Sequence, residues 1–165
     1  MKRVTRKHIE AQQAAADRYA AARGLHLERA PGGNIAPVDY LARASPRYGE
    51  PVVEVLEFKC RGCGVGAFPD VWLEDRKVAA LQYGARLYGC DAYLVVEWAN
   101  GEMRRIHVDD VARAAGGSPV VRHRRDRGDE RDSDLVWCVP VRMMERVLTE
   151  CIAVGYTDVG YTEER

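Results

Sequence analysis

An acid, one spacer and a lysine, Glu57-Phe58-Lys59, close a run of β-branched and apolar residues, VVEVLEFK. In an extended strand, alternation puts the side chains of Glu57 and Lys59 on one face, with the Phe58 carbonyl between them. Opposite charges on such a strand are costly to bury unless they pair or bind something. Asp39, in Pro37-Val38-Asp39, opens the preceding segment, and the turn PRYGEP returns the chain so that Asp39 comes beside Glu57. Two carboxylates and a backbone carbonyl are hard oxygen donors, a set suited to Mg²⁺ or Mn²⁺. Such an ion lowers the pKa of a bound water and offsets charge on a phosphodiester in the transition state; Lys59 could orient that water or steady the phosphorus. The string alone is weak, because chance supplies roughly 0.6 copies in a chain of this composition. A plain Glu57–Lys59 ion pair, with Asp39 as a turn residue, is the competing reading.

These residues need elements to hold them. The alanine-rich run from Thr5 to Arg23 has Ile9, Ala16, Tyr19 and Ala20 at helical spacing, and Gly24 ends it. Ile35–Ala44 and Val52–Lys59 read as strands joined by a hairpin turn, and a glycine-rich stretch leads to a short strand ending near Leu73. EDRKVAALQYGARLYG predicts a helix closed by Gly89, and Ala92–Trp98 and Met103–Val108 predict two further strands, with Asp109 capping a short helix. Residues 116–134, rich in turn formers and charges, predict a hairpin with a charged tip, with Leu135–Val139 as its return strand. Pro140 to Val154 predicts a last helix, with Met144, Val147, Leu148 and Cys151 on one face. The order is mixed α/β with a central sheet.

Composition limits the reading. The chain has 165 residues, 47% of them hydrophobic, which predicts one domain over 1–165 with a real core. No apolar run reaches the roughly 18 residues of a membrane span, and the basic N-terminus lacks an apolar signal region. Five cysteines, an odd number, argue against a disulfide scaffold and for a reducing, cytoplasmic setting. Net charge is zero, but residues 1–29 carry +4 and residues 126–165 carry −5. Lys2, Arg3, Arg6 and Lys7 therefore outrank the acid-interleaved hairpin tip as nucleic-acid contacts, and Arg61 joins them beside Lys59. Cys60-Arg61-Gly62-Cys63 lacks the second ligand pair that structural zinc needs. Tyr83, Tyr88 and Tyr93 fit core packing better than base stacking, and His107 is a packed or surface residue. Pro69-Asp70 with Asp75-Arg76-Lys77 repeats the acid-x-lysine pattern, but four residues between the acids are too few for two strands and a turn.

A helix with Glu10, then RAPGG, Pro37-Val38-Asp39, a hairpin, Glu57-Phe58-Lys59, a helix with Lys77 and the strand AYLVVEW resembles the PD-(D/E)-x-K nuclease superfamily. Within it the layout is most similar to archaeal Holliday-junction resolvases and to VRR-type or phage nucleases. The resemblance covers residues 5–112 and leaves 113–165 as a C-terminal extension. It implies a restriction-endonuclease-like αβββαβ core and Mg²⁺-dependent cleavage of DNA, with Mn²⁺ as a substitute. Asp39, Glu57 and the Phe58 carbonyl would hold the metal, Lys59 would be the catalytic lysine, and Glu10 a further catalytic acid and metal ligand. Lys77 or Gln82 would contact the scissile phosphate. A homodimer acting on branched DNA in recombination, repair or phage replication also follows from the resemblance. Two departures stand out: Val38 separates the usual Pro-Asp pair, and the zero net charge is unlike a strongly basic resolvase. A nuclease-fold binding or regulatory module without cleavage is the alternative.

Overall fold

The computed structural model describes residues 6–32, 37–47, 49–123 and 133–148. The alanine-rich segment forms α1 (Arg6–Arg23), closed by Gly24 in the left-handed region at φ 64°. Three antiparallel strands follow, β1 (His26–Arg29), β2 (Tyr40–Arg43) and β3 (Val52–Arg61). After β4 (Asp70–Glu74) and α2 (Asp75–Tyr88), β5 (Asp91–Trp98) runs parallel to β3, and β6 (Met103–His107) runs antiparallel to β5. A 3-10 turn at Val108–Asp110 leads into α3 (Val111–Ala114), then β7 (Val120–His123), β8 (Ser133–Pro140) and β9 (Glu145–Val147). With β4 set aside in a second sheet, α1-β1-β2-β3-α2-β5 makes an αβββαβ core, in which β1 takes the place expected for the strand near Leu73.

The main sheet has the order β1-β2-β3-β5-β6-β9. Strand β3 is buried on both faces, which explains its lack of apolar alternation. Leu56 and Phe58 pack with Ala15, Ala16 and Tyr19 of α1, whereas Val55 packs with Val78 and Leu81 of α2. A Cβ at Gly84 would meet Val55 Cγ1 at 3.0 Å, so glycine sets how closely α2 approaches β3. Lys77, two turns earlier on α2, is held over the strand by the same approach.

Several expectations are corrected. β1 takes the first sheet position although the sequence showed no strand there, because HLER is a short, mostly exposed edge strand with no apolar alternation. The strand near Leu73 leaves the main sheet and pairs with β8 in a separate sheet, β4-β8-β7. Within the described residues the expected helix from Pro140 is a 3-10 turn, Val141–Met143, followed by the edge strand β9. Pro140 is extended at ψ 130°, and Met144 and Val147 are buried while Leu148 is 74% exposed. A three-residue apolar spacing fits a turn plus a strand as well as a helix. The rest of that expected helix lies outside the described residues, as does the hairpin tip at 124–132. His107 rather than Asp109 caps the 3-10 turn, its Nδ1 accepting the Asp109 N–H at 3.2 Å.

Candidate active site

The β2–β3 hairpin builds the acidic end of the site. The Asp39 N–H donates to the Leu56 carbonyl at 3.0 Å, continuing the ladder one residue before β2. Asp39 Oδ2 accepts the Phe58 N–H at 2.8 Å, so the carboxylate is fixed against the backbone of the Glu-x-Lys strand. Gln12 of α1 donates through Nε2 to the same oxygen at 2.8 Å and to the Phe58 carbonyl at 3.4 Å. One glutamine thus ties together both oxygen donors.

Glu57 projects from the face of β3 that meets α2 and is 5% exposed. Lys77 Nζ donates to Glu57 Oε2 at 2.8 Å and to the Pro37 carbonyl at 3.3 Å, linking α2 to the strand and to the loop before Asp39. The Glu57 pKa is pushed up to about 7, first by burial and next by the negative charge of Asp39; Lys77 and Lys59 oppose the rise. Lys59, on the same strand face, has its pKa lowered, chiefly by burial and against the pull of Glu57 and Glu74. The charges are unevenly matched. A buried acid is short of positive charge, and a second acid close enough to disturb it makes the deficit worse. A divalent cation would correct both.

Asp39, Glu57 and the Phe58 carbonyl suit Mg²⁺, which keeps several waters and needs only one or two carboxylates. Among the described residues no group of three or more Asp, Glu, His or Cys is gathered for a metal.

No family model and no curated protein matches the chain. Solved structures do match. Hjc of Archaeoglobus fulgidus, a Holliday junction resolvase from an archaeal hyperthermophile, aligns with a TM-score of 0.51 and 16% identity, over 83% of this chain and 86% of that one. The chain has the fold of an archaeal Holliday junction resolvase. D212, a nuclease from a fusselovirus, is also similar, with a TM-score of 0.46 and 8% identity over 84% and 82% of the two chains.

In this resolvase fold, Asp39, Glu57, the Phe58 carbonyl, Lys59 and Lys77 converge on one end of β3, and Gln12 joins them. Glu10 does not face that group: it is exposed, and at about 100° per residue it stands roughly 160° around α1 from Gln12. Gln82 stands about 140° around α2 from Lys77. Arg61 ends β3 on the same face as Lys59. Arg6 and Lys7 begin α1, while Lys2 and Arg3 lie outside the described residues. The acids of the repeated pattern serve tryptophans: Asp70 accepts the Trp72 indole N–H at 3.0 Å and Asp75 that of Trp137 at 2.8 Å. Tyr83 and Tyr88 are 60% and 40% exposed, contrary to the expected core packing. Gln12 was missed as a site residue. The signal available was its spacing from Ala16 and Tyr19, which puts it on the buried face of α1.

Proposed function

We propose that this chain is a Mg²⁺-dependent nuclease that hydrolyses phosphodiester bonds in branched DNA. The observation that carries this reading is the meeting of Asp39, Glu57, the Phe58 carbonyl and Lys59 at one end of a buried strand. The resolvase fold supports it. A bound Mg²⁺ would activate a water and neutralise charge on the phosphodiester. Asp39 offers that ion an oxygen already oriented by Gln12 and the Phe58 N–H, so little reorganisation is needed on binding. Glu57, ionised beside such a cation, would supply the second carboxylate, with Lys77 holding it in place. The Lys59 ammonium would hydrogen-bond either the attacking water or a non-bridging phosphate oxygen, where negative charge grows. Arg61, Arg6 and Lys7 would add contacts to the phosphate backbone. A symmetric homodimer would present two such sites to two strands.

The Lys77–Glu57 ion pair favours a second reading, in which the acid is neutralised within the protein and the fold only binds nucleic acid. End-labelled four-way junction, flap, duplex and single-stranded DNA, incubated with Mg²⁺, Mn²⁺ or chelator, separate the two. Metal-dependent cutting is expected, falling at least about 100-fold in Lys59→Ala. Binding without cutting under every condition overturns the enzyme reading.

A further inference from the structure

Past Lys59, the strand that carries the site ends in an aromatic cleft. Arg61 is the last residue of β3, and its partner in the parallel register is Trp98, the last residue of β5. The cleft, about 240 Å³, opens at these carboxyl ends, where ligands of parallel sheets tend to bind. Its floor is Trp98 and Val71, both buried, and its rim carries Arg61, Phe68, Asp70 and Trp72.

The rim is expensive to leave in water. Phe68 is one of only two phenylalanines in the chain, and it is 65% exposed; Trp72 is 40% exposed. The Trp72 ring is also prepared rather than loose. Its N–H is held by Asp70 at 3.0 Å, and the Arg122 guanidinium lies 5.2 Å from the ring centre. Rigid, solvent-facing rings flanked by guanidinium groups are how proteins stack unpaired bases and hold the adjoining phosphates. The volume is below the roughly 300–1,000 Å³ of drug-sized ligand pockets and suits one planar heterocycle.

Position selects the occupant. Glu57, Lys59 and Arg61 alternate along one face of β3, so Arg61 lies roughly 13 Å along the strand from Glu57. That is about four stacked base steps at 3.4 Å each. A strand with its phosphodiester at Asp39 and Glu57 can therefore bring a nearby base to the cleft. Such a base must be free of its partner and of its stack.

We propose that the Phe68–Trp72–Trp98 cleft binds an unpaired nucleobase a few nucleotides from the scissile phosphate, so that the substrate is DNA with a single-stranded or splayed segment. This rests on the nuclease reading for the direction of the strand, but its test can be done without cleavage. Fluorescence anisotropy in chelator compares a blunt duplex with the same duplex carrying a single-stranded tail. The wild type should prefer the tailed DNA. That preference should fall on the order of 10-fold in Phe68→Ala and in Trp72→Ala, and should largely return in Trp72→Phe, which keeps a stacking ring. Tyr83→Ala, at an exposed aromatic on α2 away from the cleft, controls for general loss of surface. Equal affinity of the wild type for the two DNAs, or a preference unchanged in both alanine variants, overturns the cleft. Absence of cutting in the separate metal assay overturns the nuclease and leaves this comparison readable.

Discussion

Glu54 and Glu57 lie three residues apart on β3, at 6% and 5% exposure, with side chains on opposite faces of the sheet. Glu54 faces α1. It accepts the Tyr19 hydroxyl at 2.8 Å and the guanidinium groups of Arg23 and Arg105 at 3.3 Å each. Arg105 is itself buried, donates to Glu145 at 3.0 Å and lies over the Tyr93 ring. Glu57 faces α2. It meets one ammonium directly and has a second carboxylate, Asp39, as a destabilising neighbour. Depth of burial is thus the same for an acid that fastens a helix to the sheet and for one that has a single direct cationic partner and an acidic neighbour. What separates them is the sign and number of the charges gathered around each.

The largest expected effect is on the structural side. Glu54→Ala takes from the buried Arg105 its one buried carboxylate partner and from Tyr19 its acceptor, and should cost about 3–5 kcal/mol in urea denaturation. A loss below about 1 kcal/mol would break the contrast between the two acids. The Glu57 side should show itself in pH instead. Glu57 holds its proton up to about pH 7 in the folded state but releases it near 4.5 when unfolded. The unfolded state therefore binds fewer protons between these values, so metal-free stability should fall as pH rises through that window. The total fall is roughly 3 kcal/mol. Glu57→Gln should remove this slope. Mg²⁺ should stabilise the wild type more at pH 8 than at pH 5, because it binds the ionised carboxylate.

Two smaller tests sharpen the site's outline. Gln12→Ala frees the Asp39 carboxylate to turn, and should weaken Mg²⁺ binding by about 10- to 100-fold in calorimetric titration, with Glu10→Ala nearly silent. Equal losses in the two variants would return Glu10 to the site. Gly84→Ala sets a crowding cost against the better helix propensity of alanine, because the new methyl meets Val55. The net should be about 1 kcal/mol or less in thermal unfolding.

The pattern along β3 was legible because its cause is local. Alternation alone placed Glu57 and Lys59 on one face, the β-branched run marked a doubly buried strand, and the glycines marked the ends of both long helices. The resemblance to PD-(D/E)-x-K nucleases rested on that same local order, and the resolvase fold agrees with it. Where the reading failed, the deciding partner was distant in sequence. Pro140–Val147 carries spacing that fits a helix, and only pairing of Val147 with Met103 makes it an edge strand. The strand near Leu73 is a strand by any local measure; that it pairs with β8 depends on a segment more than 60 residues later.

The sequence by itself therefore determined the elements whose signal is periodic and the placing of Glu57 and Lys59 on one face of β3. Tertiary structure decided which side of α1 faces Asp39, so Gln12 reaches it while Glu10 lies on an exposed side of the helix. It also decided that Lys77 pairs with Glu57, because Gly84 lets α2 settle onto Val55. It gathered Arg61, Phe68, Trp72 and Trp98 from three separate segments into one cleft. Side-chain type and spacing are properties of a short stretch of chain, whereas charge balance and enclosure are properties of everything packed around it.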